Sequence, residues 1–377
     1  MPLNLCKGQV EGMGDIVPIV VTGAGGSGGI SFVRALRLAE AQKSLRLRLV
    51  CTDHNPHFLN FSQADARFVS PRHDSRDFVP TLLRLAKKYG AKFLHPHPSS
   101  EARVVSENSG LFEDKNVKTF LPNAKSILPD KLEIYNALSK CNVAAPKTAQ
   151  ISSLSDVDSV FSEVGAPLWI RAKRGAGGRL GLKVDTPEQA KRWVELNALQ
   201  NRAVIGDFIL QEYLAGRDLA FDSLWFEGQL VTSYARERLQ YVLKHISLSG
   251  ITGTPAVART VEDEKVNQVG VEAVKALDPE PHGFFSVDIK ENASGKPVVT
   301  EVDGKWHTTA PLWGYAFANA FNKPELNIVY QYLLLGLNGK LDGELPAFNL
   351  FPADHYLVRQ LDAGVILECD SATWRTV

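Results

Sequence analysis

Cysteine is scarce, four in 377 residues, and Cys6, Cys51, Cys141 and Cys369 stand in neither C-x-x-C nor zinc-ligand spacing. That scatter argues against a disulfide framework and predicts free thiols, packed as small side chains, in a reducing cytoplasm. Neither sign of charge is in excess, with 42 Lys plus Arg against 42 Asp plus Glu, so no global field invites nucleic acid or an acidic membrane. No apolar run approaches the roughly 18 residues that cross a bilayer. The opening MPLNLCKGQVEGMGD is not a basic segment followed by an apolar one. Internal repeats and low-complexity tracts are also missing. These absences leave a cytoplasmic protein of two or three domains whose partners are small molecules, with no nucleic acid, no membrane and a homodimer left open.

Glycine, in contrast, is clustered. In VVTGAGGSGGIS, from Val20, a short buried strand runs into Gly23, Gly25 and Gly28, which fit G-x-G-x-x-G, and an amphipathic helix follows to about Ala41. A second strand ends at Asp53, where a ribose-binding acid of an NAD-dependent dehydrogenase would stand. The same glycines also suit a tight structural turn. From Val17 to about Pro122 strands and helices alternate, as in a parallel sheet covered by helices. A helix follows from near Asp130, a plausible N-cap, carrying Leu132, Tyr135 and Leu138 toward a core.

A second glycine cluster, in PLWIRAKRGAGGRLGLKV, follows a strand and is surrounded by Arg171, Lys173, Arg174 and Arg179. Glycines let backbone N–H groups approach an anion, and the cations neutralise phosphate charge, so this is the better phosphate cradle. Next, FILQEYLAGRDLAFD places an extended Gln211-Glu212-Tyr213-Leu214 before Asp218. Such a segment offers backbone groups to an adenine edge, and the acid can accept ribose hydroxyls. Finally, FFSVDIKENASGKPVVTEVDGKWHTT reads as two buried strands joined by a turn, which puts Asp288 on one face with Glu301 and Asp303. Buried like charges need a cation between them, and hard oxygen ligands suit Mg²⁺ or Mn²⁺. The H-x-H pair His95 and His97 shows only two ligands and is flanked by prolines, which argues against a zinc site there.

Taken in order, PDKLEIYNAL, APLWIRAKRGAGGRLG, QEYLAGRDLAFD and GFFSVDI…VVTEVDGKWHTT resemble the ATP-grasp superfamily, most closely its carbamoyl-phosphate-synthase-like and carboxylate–amine ligase branch. The resemblance implies an α/β chain, α+β within the ATP-grasp part, in which an N-terminal Rossmann-like preATP-grasp domain precedes a two-lobed ATP-grasp domain. The implied segments are a preATP-grasp domain over 1–125, a small lobe over 126–206, a large lobe over 207–320, and a C-terminal extension over 321–377 packed on the large lobe. It also implies ATP and Mg²⁺ (or Mn²⁺) as cofactors. Lys131, Arg171, Gly175, Gly177 and Gly178 would meet phosphate, and Gln211, Glu212, Tyr213, Leu214 and Asp218 the nucleoside. Asp288, Glu301 and Asp303 would hold metal. Two departures stand out: the family's E-x-N-P-R is here Glu301-Val302-Asp303-Gly304-Lys305, so an Asn ligand becomes a carboxylate and an Arg becomes Lys.

The implied activity is ADP-forming ligation. A carboxylate attacks the γ-phosphate, and an amine or other nucleophile then displaces phosphate, most simply in carbon–nitrogen bond formation. Arg171, Lys305 and Arg238 are the candidate catalytic cations, while Arg236, Lys244 and His245 lie in the same SYARERLQYVLKHISLSG stretch, and Trp306, His307 and Trp313 would shape the acceptor pocket. Two alternatives stay open: a non-catalytic ATP-binding regulator, and a dehydrogenase using the first glycine motif.

Overall fold

The structure is a computed structural model that describes residues 16–175, 178, 180–360, 364–369 and 372–376. Its first unit is a parallel sheet of order β3-β2-β1-β4, built from β1 (Val17–Thr22), β2 (Leu47–Asp53), β3 (Ala66–Val69) and β4 (Phe93–Pro96). Ile19, Val20 and Val21 are fully buried, as expected of a central strand covered on both faces. The covering helices are α1 (Ser27–Lys43), α2 (Pro56–Leu59), α3 (Phe78–Tyr89), α4 (Ser99–Glu107) and α5 (Ser109–Glu113).

At α6 (Lys131–Lys140) the chain enters a second unit. Asp130 caps this helix by accepting the Leu132 N–H at 2.9 Å. Its buried face carries Lys131, Ile134 and Leu138, so the expected register shifts: Leu132 and Tyr135 are only partly covered, and the lysine faces inward. A four-stranded antiparallel sheet follows, of order β5-β8-β6-β7, from β5 (Thr148–Gln150), β6 (Leu168–Ala172), β7 (Leu182–Val184) and β8 (Phe208–Glu212). Helices α7 (Leu154–Val164) and α8 (Pro187–Leu199) bury Val157, Val160 and Val194 against Leu168, Ile170 and Leu210 of this sheet. The second glycine cluster is the connection from β6 to β7.

The third unit is a six-stranded antiparallel sheet of order β13-β12-β9-β10-β11-β14. Its strands are β9 (Asp218–Phe226), β10 (Gln229–Tyr241), β11 (Pro255–Val261), β12 (Gly283–Glu291), β13 (Pro297–Asp303) and β14 (Tyr356–Val358). Helix α9 (Glu264–Leu277) and α6 cover one face, where Val266, Ala273, Phe285, Val287 and Val302 pack. On the other face α10 (Ala310–Phe321) and α11 (Ile328–Asn338) form one core with α1 of the first unit, joining Phe32 and Leu36 to Trp313, Leu333, Leu224 and Tyr234. A hairpin of β15 (Val365–Cys369) and β16 (Ala372–Thr376) ends the described chain. Among the described residues no helix is long and apolar enough to cross a membrane.

Candidate active site

A cavity of about 780 Å³ opens where the three sheets meet. The small sheet contributes Trp169, Arg171 and Gln211, the large sheet Asp218, Arg238, Asp288 and Glu301, and the first unit Gly28, His97 and Ser99. Such a wall, apolar surface with convergent polar groups at the junction of domains, is where small-molecule sites form.

The large-sheet wall is organised by register. Asp288 and Glu301 are direct cross-strand partners, and a bulge at Thr300 follows before Ile289 pairs with Val299. Every carboxylate here has a cation. Asp288 receives Arg238 Nη2 and faces His307 Nε2 at 3.0 Å. Burial alone would raise its pKa, but Arg238 and His307 hold it well below the usual carboxylate range. Glu301 accepts Arg171 Nη2 at 2.9 Å, with Lys131 and Lys305 each 3.6 Å away. Against burial, these cations keep its pKa low.

Asp303 differs from the expectation. It is 2% exposed, accepts the Leu128 N–H at 2.8 Å and pairs with Lys305 Nζ at 2.7 Å. Burial raises its pKa, and it does not line the cavity. Alternation does put it on the face of Asp288 and Glu301, but the loop containing Leu128 closes over it. Among the described residues no three His, Cys, Asp or Glu side chains come together closely enough to hold a metal ion. The expected triad is therefore two lining carboxylates and one covered one. Two still fit Mg²⁺, which usually takes one or two carboxylates and completes its shell with waters and substrate phosphates.

Lys131 is also behind the wall rather than on it. It is 4% exposed, donates from Nζ to the Gly175 carbonyl at 2.6 Å and has its pKa lowered by burial. With the Arg174–Asp130 pair at 3.1 Å, it ties the start of the glycine loop to the first turn of α6. Gly175 is likewise off the wall, and its φ of +105° suits only glycine. Gly178 lines the cavity; Gly177 and Arg179 lie outside the described residues.

The expected nucleoside segment lines the cavity throughout, from Gln211 to Leu214. Strand pairing stops at Glu212, so the backbone groups of Tyr213 and Leu214 have no partner among the described residues. Asp218 reaches the cavity but is engaged by Tyr241 Oη–H at 2.7 Å and Arg238 Nη1 at 3.1 Å. Tyr241, Lys290, Ser249 and the segment from Ile251 to Thr254 also line it, and sequence reasoning assigned none of these a role.

Under this wall lies a buried network that sequence reasoning missed. Asp222, fully buried on β9, receives Arg236 Nη1, Ser286 Oγ–H at 2.8 Å and His307 Nδ1 at 2.7 Å. His307 thus lies between Asp222 and Asp288, while burial lowers its pKa to about 4. Arg236, 1% exposed, is a supporting residue rather than a lining one. Lys244 and His245 are exposed and do not line the cavity, and Trp313 is buried in the α10 core.

The first glycine motif has a different use from the one its pattern suggests. A methyl on Gly23 would stand 2.1 Å from Pro98 Cγ, and one on Gly28 2.2 Å from His97 Nε2. On Gly25 it would meet the backbone of Phe58 at 2.7 Å. Asp53 is consumed by the N–H groups of Gly25 and Asn55. The glycines make room for neighbouring chain and Asp53 is held by backbone N–H groups, which favours the structural-turn reading of the motif over the dehydrogenase one.

Comparison with known proteins agrees with this layout. The sequence profile of the ATP-grasp domain matches residues 128–309. No curated protein matches the sequence. Among solved structures, the biotin carboxylase domain dimer of Hydrogenobacter thermophilus 2-oxoglutarate carboxylase, bound to MgADP, ADP and bicarbonate, superposes with a TM-score of 0.65 at 16% identity. That match covers 90% of this chain and 73% of the other. L-amino acid ligase from Bacillus licheniformis gives 0.62 at 11% identity, over 85% and 74% of the two chains. N5-carboxyaminoimidazole ribonucleotide synthetase from Thermus thermophilus gives 0.60 at 18%, over 86% and 79%. The chain therefore carries an ATP-grasp domain at residues 128–309.

Proposed function

We propose that this protein uses ATP to activate a small-molecule carboxylate as an acylphosphate, releasing ADP, and passes the acyl group to an amine or other nucleophile. The coarser part goes with the superfamily: it is an ATP-dependent ligase, with ATP and Mg²⁺ as cofactors. The observation that carries the finer reading is the meeting, on one cavity, of unpaired backbone at Tyr213–Leu214 with the Arg171–Glu301 bridge and Lys305. One end suits an adenine edge and the other a transferring phosphoryl group.

Tyr213 and Leu214 would take the base through main-chain groups, with Leu214 against the ring. Arg171 presents a planar fork to phosphate, and Lys305 a point charge. Both are fixed beforehand by carboxylates, so they stabilise developing charge with little reorganisation. Asp288 and Glu301 are the residues that would hold Mg²⁺, which when bound neutralises phosphate charge. Arg238 orients Asp218 and Asp288 together. Asp303 holds Lys305 in place; burial works against the charge on that lysine, but Asp303 and Glu301 outweigh it and raise its pKa.

The test is release of ADP and phosphate with Mg²⁺ across a panel of amino and hydroxy acids, each with and without an added amine. Release that depends on both is expected, and its loss in Arg171→Ala and Glu301→Ala. ATP binding with no release anywhere in the panel would instead support a non-catalytic regulator.

A further inference from the structure

The pair His95 and His97 has no part in the reading above, yet its hydrogen bonds run in one direction only. The Phe120 carbonyl can only accept, and it takes the single Tyr332 hydroxyl proton at 2.7 Å. Tyr332 Oη must then accept from His95 Nδ1, 3.2 Å away. His95 is fully buried, and burial, helped by His97, holds its pKa well below the usual value, so the ring is neutral. With its proton on Nδ1, its Nε2 accepts from His97 Nδ1 at 3.2 Å. Burial lowers the pKa of His97 to about 4, so this ring too is neutral and has already used its one proton. Its Nε2 is left as a bare lone pair, with no donor among the described residues.

Packing holds that lone pair in place. Phe32 stacks on His95 with ring centroids 3.7 Å apart and an interplanar angle of 4°. Gly28 lies directly against His97 Nε2, where any side chain would collide. His97 and Gly28 line the cavity that Arg171, Glu301 and Lys305 also line. Trp306 bridges the two groups: it follows Lys305 in the chain and meets His95 edge to face at 6.2 Å.

We propose that His97 Nε2 docks the nucleophile, a nitrogen compound bearing an N–H, and takes the proton released as that nitrogen attacks the acylphosphate. The inference rests on the ligase reading and deepens it. A nitrogen–carbon bond forms and the carbon–oxygen bond to phosphate breaks. Phosphate leaves with the bonding pair, and the nitrogen's proton passes to Nε2, giving an imidazolium that returns it to solvent. A nitrogen bonded to the acyl carbon is far more acidic than a free ammonium, so a weakly basic imidazole suffices. The neighbouring wall, Ser27, Gly28, Pro98 and Ser99, has no carboxylate to hold a cation, which favours docking of the neutral amine. His95 and Tyr332 are positioning residues that set the tautomer.

The test is nitrogen NMR of the full chain carrying ¹⁵N-histidine, with Mg²⁺ and ATP present, titrated with ammonium, methylammonium, the amino acids and matching hydroxy acids. His97 is expected as the Nδ1–H tautomer, and at least one amine should shift Nε2 toward its hydrogen-bonded position. Tyr332→Phe should move the tautomer balance toward Nε2–H and abolish that shift. His97→Ala should weaken the responding amine about tenfold, the loss of roughly one hydrogen bond. His97→Gln keeps an acceptor and should restore binding, while amine-dependent turnover stays down about 10²-fold. An Nε2–H tautomer in the unsubstituted protein, a response to hydroxy acids alone, or none to any amine would overturn the inference. Failure to form ADP, with these shifts present, would count against the ligase reading instead.

Discussion

Arg171 on the small sheet reaches Glu301 on the large sheet, Nη2 to Oε2 at 2.9 Å, so an ion pair on the cavity wall joins the two sheets. On the proposed reading a nucleotide phosphate would share that guanidinium. Arg171→Lys keeps the charge but loses the fork, and is expected to release ADP at a rate between those of the unsubstituted protein and Arg171→Ala. Steady-state ADP release against ATP concentration checks this, with the effect expected mainly in kcat.

Asp288 and Asp303 should separate cleanly. Asp288→Asn removes a lining carboxylate and is expected to abolish Mg²⁺-dependent ADP release, as a chelator should in the unsubstituted protein. In Asp303→Asn the new side chain can still accept the Leu128 N–H, so measurable ADP release should remain. Equal loss in both variants would return Asp303 to the metal site.

Glu101 gives a pH dependence. It is 4% exposed, its Oε2 has no hydrogen-bond partner, and burial raises its pKa from 4.5 to about 7. Between these values the unfolded chain has released the proton that the folded chain keeps, so the contribution to stability is full below pH 4.5 and lost as pH rises through about 7. At ~1.4 kcal/mol per unit the loss is on the order of 3 kcal/mol. Urea unfolding of Glu101→Gln should show this decline flattened.

Asp222→Ala should be among the most destabilising single changes. It leaves Arg236, 1% exposed, as a buried charge without its carboxylate, and it frees His307. Removing one partner of a buried pair costs about 3–5 kcal/mol. Denaturant midpoints at neutral pH measure it.

Much of this was legible in the sequence because strand alternation and hairpin pairing are local rules. They place Asp288 beside Glu301, and the glycine-rich β6–β7 connection is visible in composition alone. What stayed hidden depends on contacts between distant segments. Nothing near Lys131 in sequence shows that it points inward to Gly175 and Glu301, or that Leu128 covers Asp303. Asp222 looks like any acid in an apolar strand until Arg236 and His307 converge on it. The first glycine motif is ambiguous in sequence for the same reason, since what fills the space beside Gly23 and Gly28, Pro98 and His97, lies some seventy residues away.

The core shared by α1, α10 and α11 bears on how this domain could be isolated. Residues 128–309 hold the family match, but Leu224, Tyr234, Phe284 and Trp306 of that segment are covered by chain outside it. Cut out alone, the segment would present an oily sheet face to water. The catalytic part is therefore expected to aggregate as a fragment, and to become soluble when the two flanking pieces are co-expressed with it.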